Sequence, residues 1–434
     1  MTLSERDQHT IWHPYTQHKI SSWPIPITRG EGAYLIDESG KRYLDLVSSW
    51  FVNLHGHAEP TIAKAIYDQA LKLEQVIFSG FTHEPAVQLA DELLAILPKG
   101  FSKIFYSDNG STAVEVALKM AYQYWRNRGE MKRQRFIAFD GAYHGDTFGA
   151  MAVGKNCGFF GNFDPLLFEV KMFPYPTTWL NDNTIEEKEN AILQEIKTYL
   201  ENFHDEVAAL IIEPLIQGSS GMRMCRPEFL RALQRLLQEY GILQIYDEVM
   251  TGFGRTGDLF ASLKSNTTPD IICLAKGLTG GFLPLAATVC NEKIYETFLG
   301  DDFKKALAHG HSYTANPLGC AAALASLKLL KSTETLEKIA MIERVHRERL
   351  ANLEEFPLIK HRRFCGTIAA FDLNCLAEYG SKESVQLRKQ FLERGLLIRP
   401  LGNVIYLMPP YCITERELQN TYDIVIHEVE GAIA

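Results

Sequence analysis

The sequence predicts an α/β fold, with a mostly parallel sheet in a large domain and a smaller α+β domain beside it. Three observations carry this. Short apolar runs, Ile104-Phe105-Tyr106, Phe136-Ile137-Ala138-Phe139, Leu210-Ile211-Ile212, Leu243-Gln244-Ile245-Tyr246 and Ile271-Ile272-Cys273-Leu274, suit strands buried on both faces. Helical patterns alternate with them, as in Val114, Ala117, Leu118, Ala121 and Trp125 after the first run. Beyond about residue 330 the pattern changes to a long charged helix, Thr333 to Leu353, followed by short strands and helices.

Taken in order, Gly32 to Leu46 reads as a β-hairpin turning at Asp37-Glu38-Ser39-Gly40. Leu89 to Leu97 reads as a helix with Ala90, Leu93, Leu94 and Leu97 on one face. Residues 177–206 are polar and charged, the pattern of a surface helix between strands. The expected organisation is an N-terminal segment, 1–55, contributing to the small domain, a large domain over 56–329, and a C-terminal small domain over 330–434.

A chain of 434 residues with 46% hydrophobic and 22% charged residues has the composition of a soluble globular enzyme. The net charge of −9 argues against nucleic acid or an anionic membrane as partner. Eight cysteines, at 157, 225, 273, 290, 320, 365, 375 and 412, never form CxxC, which predicts reduced thiols rather than a disulfide frame or zinc site. Met1 to Thr10 is polar, without the apolar core of a signal peptide, and no apolar stretch approaches the roughly 20 residues of a membrane span. A cytoplasmic protein is expected.

Charged residues at the ends of the buried runs carry the chemistry. Strand 243–246 leads into Asp247 and strand 271–274 into Lys276, and the C-terminal ends of parallel strands line the edge where ligands bind. An amine that forms a Schiff base and an acid that pairs with a pyridinium nitrogen are what pyridoxal phosphate requires. Apolar flanks would desolvate Lys276 and favour its neutral, nucleophilic form. Ser107-Asp108-Asn109-Gly110-Ser111-Thr112, between a strand and a helix, fits a phosphate cradle and equally an ordinary helix N-cap. Tyr143, following strand 136–139, reaches the same edge and could stack on a planar group. Arg399, after Gly395-Leu396-Leu397-Ile398, could pair with a substrate carboxylate.

Three features suggest other chemistry. Gly252-Phe253-Gly254-Arg255-Thr256-Gly257 matches a dinucleotide fingerprint, but Asp247-Glu248 would repel a pyrophosphate and residues 258–269 are too short for the crossover helix. His55-Gly56-His57 and His309-Gly310-His311 lack further metal ligands at a recognisable spacing, so no metal is expected. Trp12-His13-Pro14-Tyr15 and Trp50-Phe51 are apolar clusters suited to a core or an interface.

Along nearly its whole length the chain resembles the class III, fold-type I pyridoxal-phosphate aminotransferases. The class-wide motifs are Asp247-Glu248-Val249 with Gly252 to Gly257, then Lys276. Narrower motifs are His13-Pro14-Tyr15-Thr16-Gln17, Ser48-Ser49-Trp50, Tyr143-His144-Gly145-Asp146-Thr147, Ile398-Arg399-Pro400 and Tyr406-Leu407-Met408-Pro409-Pro410-Tyr411. They resemble the subgroup that aminates 8-amino-7-oxononanoate in biotin biosynthesis with S-adenosyl-L-methionine as donor. The resemblance implies that Lys276 carries the cofactor, Asp247 pairs with its ring nitrogen, Tyr143 lies over the ring, and Gly110 and Ser111 hold its phosphate. It implies a homodimer whose partner subunit supplies Gly310, His311 and Ser312, with Ser312 on the phosphate. Tyr15, Trp50 and Arg399 would form the substrate pocket. Two residues depart from the common pattern: Phe51 stands where a second tryptophan often follows Trp50, and His311-Ser312 where Pro-Thr is often seen. Open alternatives are another ω-aminotransferase of this class (for ornithine, 4-aminobutyrate or a diamine), lysine as donor, or a catalytically idle binding module, against which the intact Lys276, Asp247 and Tyr143 argue.

Overall fold

The computed structural model describes residues 1–158, 160–374 and 381–431; Cys375 lies outside them. Its centre is a seven-stranded sheet in the order Phe101–Ser107, Ala286–Asn291, Ile271–Leu274, Leu243–Asp247, Val207–Ile212, Arg135–Phe139, Val170–Phe173. Six strands run parallel; Ala286–Asn291 is antiparallel to both its neighbours. The sequence reading does not include that reversed strand or the four-residue edge strand Val170–Phe173.

Alternation along each strand explains the two covered faces. Phe136 and Ala138 join one core, with Leu243, Ile245, Ile271 and Cys273, under the helix Gly110–Asn127. Ile137, Phe139, Tyr246, Ile272 and Leu274 face the opposite core, with Phe229, Leu230, Leu233 and Leu237 of the helix Pro227–Glu239. The polar stretch before it folds as the helix Ile185–Phe203, which buries Ile192, Ile196 and Leu200, pairs its one buried charge, Glu189, with Arg226 at 2.6 Å, and turns its other charges outward. In the helix Glu84–Ile96 the buried residues are Ala86, Leu89 and Leu93, whereas Ala90 and Leu94 are only partly buried, so the core face is rotated from the expected one.

The N-terminal hairpin, Tyr34–Asp37 with Arg42–Asp45, gains an outer strand, Ile27–Glu31, and pairs on its other side in parallel with Leu396–Leu397. Chain start and chain end therefore share one sheet. A second sheet, Ile359–Cys365, Ile368–Leu373 and Val404–Leu407, packs with the helices Thr333–Asn352 and Glu415–Gly431. The buried His346 of the first helix meets the Tyr422 hydroxyl of the second at 2.8 Å.

The Gly252–Gly257 stretch is a packing loop. A side chain on Gly254 would meet Ile339 at 2.8 Å and one on Gly257 would meet Glu343 at 2.9 Å, so its glycines admit the helix Thr333–Asn352. Arg255 is fully buried and donates to the carbonyls of Asn53 at 2.8 Å and Pro409 at 2.9 Å, tying the loop to both ends of the chain.

Candidate active site

Parallel pairing sets Asp247 beside Cys273, so the acid and the lysine three residues further on leave the sheet at the same edge. They line one cavity of about 410 Å³. Gly110, Ser111, Tyr143, Tyr15, Trp50 and Arg399 line it too. Gly310, His311 and Ser312 are absent from its walls: His311 Nδ1 lies 2.8 Å from Asp108 Oδ2, and the Ser312 carbonyl accepts from Gln75.

Asp247 is buried and does not pair with Arg255. Its Oδ2 lies 2.7 Å from His144 Nδ1, and its Oδ1 accepts from the Val249 amide at 3.0 Å. The charge is thus held in place with its partner histidine wholly inside. Lys276 has φ of 46°, a left-handed conformation that costs a residue with a side chain about 1–3 kcal/mol. Its Nζ sits 5.2 Å from the centre of the Phe51 ring. Burial pushes the Lys276 ammonium below its usual range, against the opposing charges of Asp247 and Glu213.

Glu213 has no place in the sequence reading, yet it lines the same cavity. It follows the buried strand Val207–Ile212 as Asp247 follows its own, and the signal Ile212-Glu213-Pro214 is legible in the chain. Its carboxyl accepts from the amides of Tyr143 and Gly218, both at 2.9 Å, and so fixes the backbone that carries Tyr143. Burial pushes this carboxyl up to about 7. Asp146, also unassigned from sequence, accepts from the Tyr15 hydroxyl at 2.6 Å, and its amide donates to Ser111 Oγ at 3.1 Å.

The Gly110–Asn127 helix begins at the cavity. Asn109 is its N-cap, in a reciprocal capping box with Thr112 that takes up the Thr112 amide and leaves those of Gly110 and Ser111 at the cavity for a ligand. The N-cap reading of this loop therefore holds, and Gly110 and Ser111, which follow the cap, line the cavity. A side chain at Gly110 would meet Val249 at 2.7 Å, and one at Gly145 would meet Ser111 Oγ at 2.1 Å. Glycine is required at both for this close approach.

The opposite wall rests on an unusual turn. Ser48, Ser49, Trp50 and Phe51 have φ of 47°, 46°, 69° and 75°, one turn of left-handed helix without a glycine. Each residue pays about 1–2 kcal/mol for this conformation. It aims Trp50 at Arg399, whose guanidinium lies 4.7 Å from the ring centre, and sets Trp50 edge-on to Tyr15 at 6.0 Å. Among the described residues no cluster of His, Cys, Asp and Glu could hold a metal.

The aminotransferase class-III family model matches residues 15–429. An adenosylmethionine-8-amino-7-oxononanoate aminotransferase of Synechococcus elongatus is 52% identical, over 95% of this chain and 96% of its own. One from Geobacter sulfurreducens is 42% identical, over 99% and 98%. Among solved structures, the Methanocaldococcus jannaschii enzyme of that name superposes with a TM-score of 0.91 at 39% identity, over 99% of this chain and 98% of its own. An omega transaminase from Pseudomonas jessenii, in complex with PMP, gives 0.92 at 27%, over 100% and 98%. The chain belongs to the class-III aminotransferases.

Proposed function

We propose that this protein is a pyridoxal-phosphate-dependent transaminase of biotin biosynthesis. It moves an amino group from S-adenosyl-L-methionine to 8-amino-7-oxononanoate, giving 7,8-diaminononanoate. The carrying observation is one cavity with two walls: Lys276, Asp247, Tyr143, Gly110 and Ser111 on the sheet side, and Tyr15, Trp50 and Arg399 opposite. The full-length relatives of that name support the substrate pair.

The residues fit the cofactor on their own chemistry. A buried carboxylate backed by a histidine suits a protonated ring nitrogen, a capped helix start cleared by Gly110 and Gly145 suits a phosphate, and a desolvated amine suits covalent attachment. When bound, pyridoxal 5'-phosphate supplies a carbonyl that accepts amines and a ring that holds an electron pair.

The chain's own groups do the rest. Lys276 Nζ would hold the cofactor and, when free as an amine, would carry a proton between the substrate's reacting carbon and the cofactor's carbonyl carbon, in opposite senses in the two half-reactions. Asp247 would face the ring nitrogen, with His144 fixing its orientation. Tyr143 would stack on the ring, and Ser111 and Gly110 would hold the phosphate. Arg399 pairs with the acceptor's carboxylate, and Trp50 and Tyr15 line a channel that takes an adenine ring or an alkyl chain in turn.

We further propose a homodimer in which Gly310, His311 and Ser312 complete the pocket of a second copy, with Ser312 at the phosphate. Their absence from this chain's own cavity supports that reading, as do the exposed Ile77, Phe81 and Tyr313. Residues 1–55 and 330–434 form the small lobe and 56–329 the large one, a division supported by the strand pairing of Leu396–Leu397 with Arg42–Asp45. Among the described residues no cysteine is in a disulfide, which supports a reducing, cytoplasmic setting. Among the described residues no helix is long and apolar enough to cross a membrane.

A donor and acceptor screen on the purified protein tests the reading. Amination of 8-amino-7-oxononanoate with adenosylmethionine supports it; activity confined to ornithine, 4-aminobutyrate or diamines, or to lysine as donor, replaces it.

A further inference from the structure

The left-handed turn Ser48–Phe51 has to be held, and the structure shows by what. Asp45, with no exposed surface, ends the strand Arg42–Asp45 just before it. Asp45 Oδ1 accepts from the Val47 amide at 3.2 Å, and Oδ2 accepts from the Ser49 hydroxyl at 2.8 Å. His57 Nε2 lies 3.0 Å from the same Oδ2. Asn53 completes the set: its Nδ2 lies 3.2 Å from His57 Nδ1, and its Oδ1 accepts from the Gly56 amide at 2.8 Å. This arrangement makes Nε2 the donor to Asp45 and Nδ1 the acceptor from Asn53. Ser48 Oγ donates to the Met408 carbonyl at 2.7 Å, pinning the turn to the segment beyond the strand Val404–Leu407.

We propose that Asp45, braced by His57, is a positioning residue for the substrate wall: it fixes the left-handed turn that sets Trp50 against Arg399. The inference rests on reading Trp50 and Arg399 as that wall. Asp45 does not line the cavity, so it acts through Trp50 and not on a substrate. Without a buried acceptor at Val47 and Ser49, the turn relaxes toward right-handed geometry and Trp50 leaves the guanidinium.

Asp45→Asn keeps the shape and removes the charge that two donors and His57 share. Amide hydrogen exchange over residues 47–53 of the variant holoenzyme is expected to quicken by about tenfold or more, the worth of one charge-assisted hydrogen bond. The KM for 8-amino-7-oxononanoate should rise by a similar factor, with kcat within about threefold and the visible absorbance of the bound cofactor unchanged. Ser49→Ala, which removes one donor and is milder should Asp45→Asn fail to fold, should move both readouts in the same direction by less. Unchanged exchange in either folded variant overturns the proposal. Faster exchange with an unchanged KM also overturns it, since the turn would then not position the wall. If the wild-type enzyme does not turn over 8-amino-7-oxononanoate, the substrate reading has failed instead, and exchange alone decides whether Asp45 holds the turn.

Discussion

Replacing Asp247 with asparagine removes one charge from the cavity and little else. The side chain is almost fully buried, its two oxygens are engaged by His144 at 2.7 Å and the Val249 amide at 3.0 Å, and asparagine fills the same space. An ion pair at ~4 Å with an effective dielectric of about 20 is worth roughly 4 kcal/mol. That corresponds to about three pKa units for the ring nitrogen facing the carboxylate, enough to move it from protonated to neutral at pH about 7. A neutral ring stores the electron pair poorly, so the rate of each half-reaction should fall about a thousandfold. The assay is single-turnover stopped-flow absorbance with adenosylmethionine, on variant protein shown to retain cofactor. A half-reaction within tenfold of wild type would refute the charge-based role of Asp247.

Lys276→Ala should lose both the visible band of lysine-bound cofactor and all multiple turnover; sustained turnover would refute its assignment. Arg399→Ala should raise the KM for the acceptor by roughly 10- to 100-fold through loss of a charge-assisted carboxylate pair, leaving an acceptor ketone without a carboxylate almost unaffected. Equal effects on both acceptors would place Arg399 outside carboxylate recognition. Burial pushes Glu213 up to about 7 from 4.5, so its native state binds the proton that the unfolded chain has released. Its contribution is present below pH about 4.5 and is lost as pH rises through about 7, a stability loss of roughly 3 kcal/mol in the cofactor-free protein. Thermal unfolding across that window should show a flatter fall for Glu213→Gln, with Glu248, also pushed up to about 7, supplying the remaining slope; an unchanged slope would count against the buried, proton-bearing Glu213.

The chemistry was most legible where a charge interrupts apolarity. Asp247 and Lys276 stand out because buried parallel strands admit no charge until they reach the ligand edge. Glu213 carries the same mark and shows how far that single rule extends. Other features leave no local trace. Strand direction is invisible in an apolar run, so Ala286–Asn291 gives no warning that it is reversed. The rotation of the Glu84–Ile96 face follows from which neighbours arrive, since Ala86, Leu89 and Leu93 form as good a stripe as the residues one position on. Ser-Ser-Trp-Phe contains no glycine, and only the folded bonds to Asp45, four residues before Ser49, and to the distant Met408 show why it turns left-handed. The Gly252–Gly257 pattern is the reverse case, a familiar motif whose glycines serve helix packing and whose arginine joins the chain ends.

The central claim is that one cavity serves adenosylmethionine and 8-amino-7-oxononanoate in alternate half-reactions. The most direct measurement prepares the pyridoxamine form of the purified protein, mixes it with each candidate acceptor, and follows the return of the lysine-bound cofactor's absorbance. Return with 8-amino-7-oxononanoate, and none with 2-oxoglutarate, is the predicted result. Return with 2-oxoglutarate alone would contradict the account and make the protein a different ω-aminotransferase of the same class.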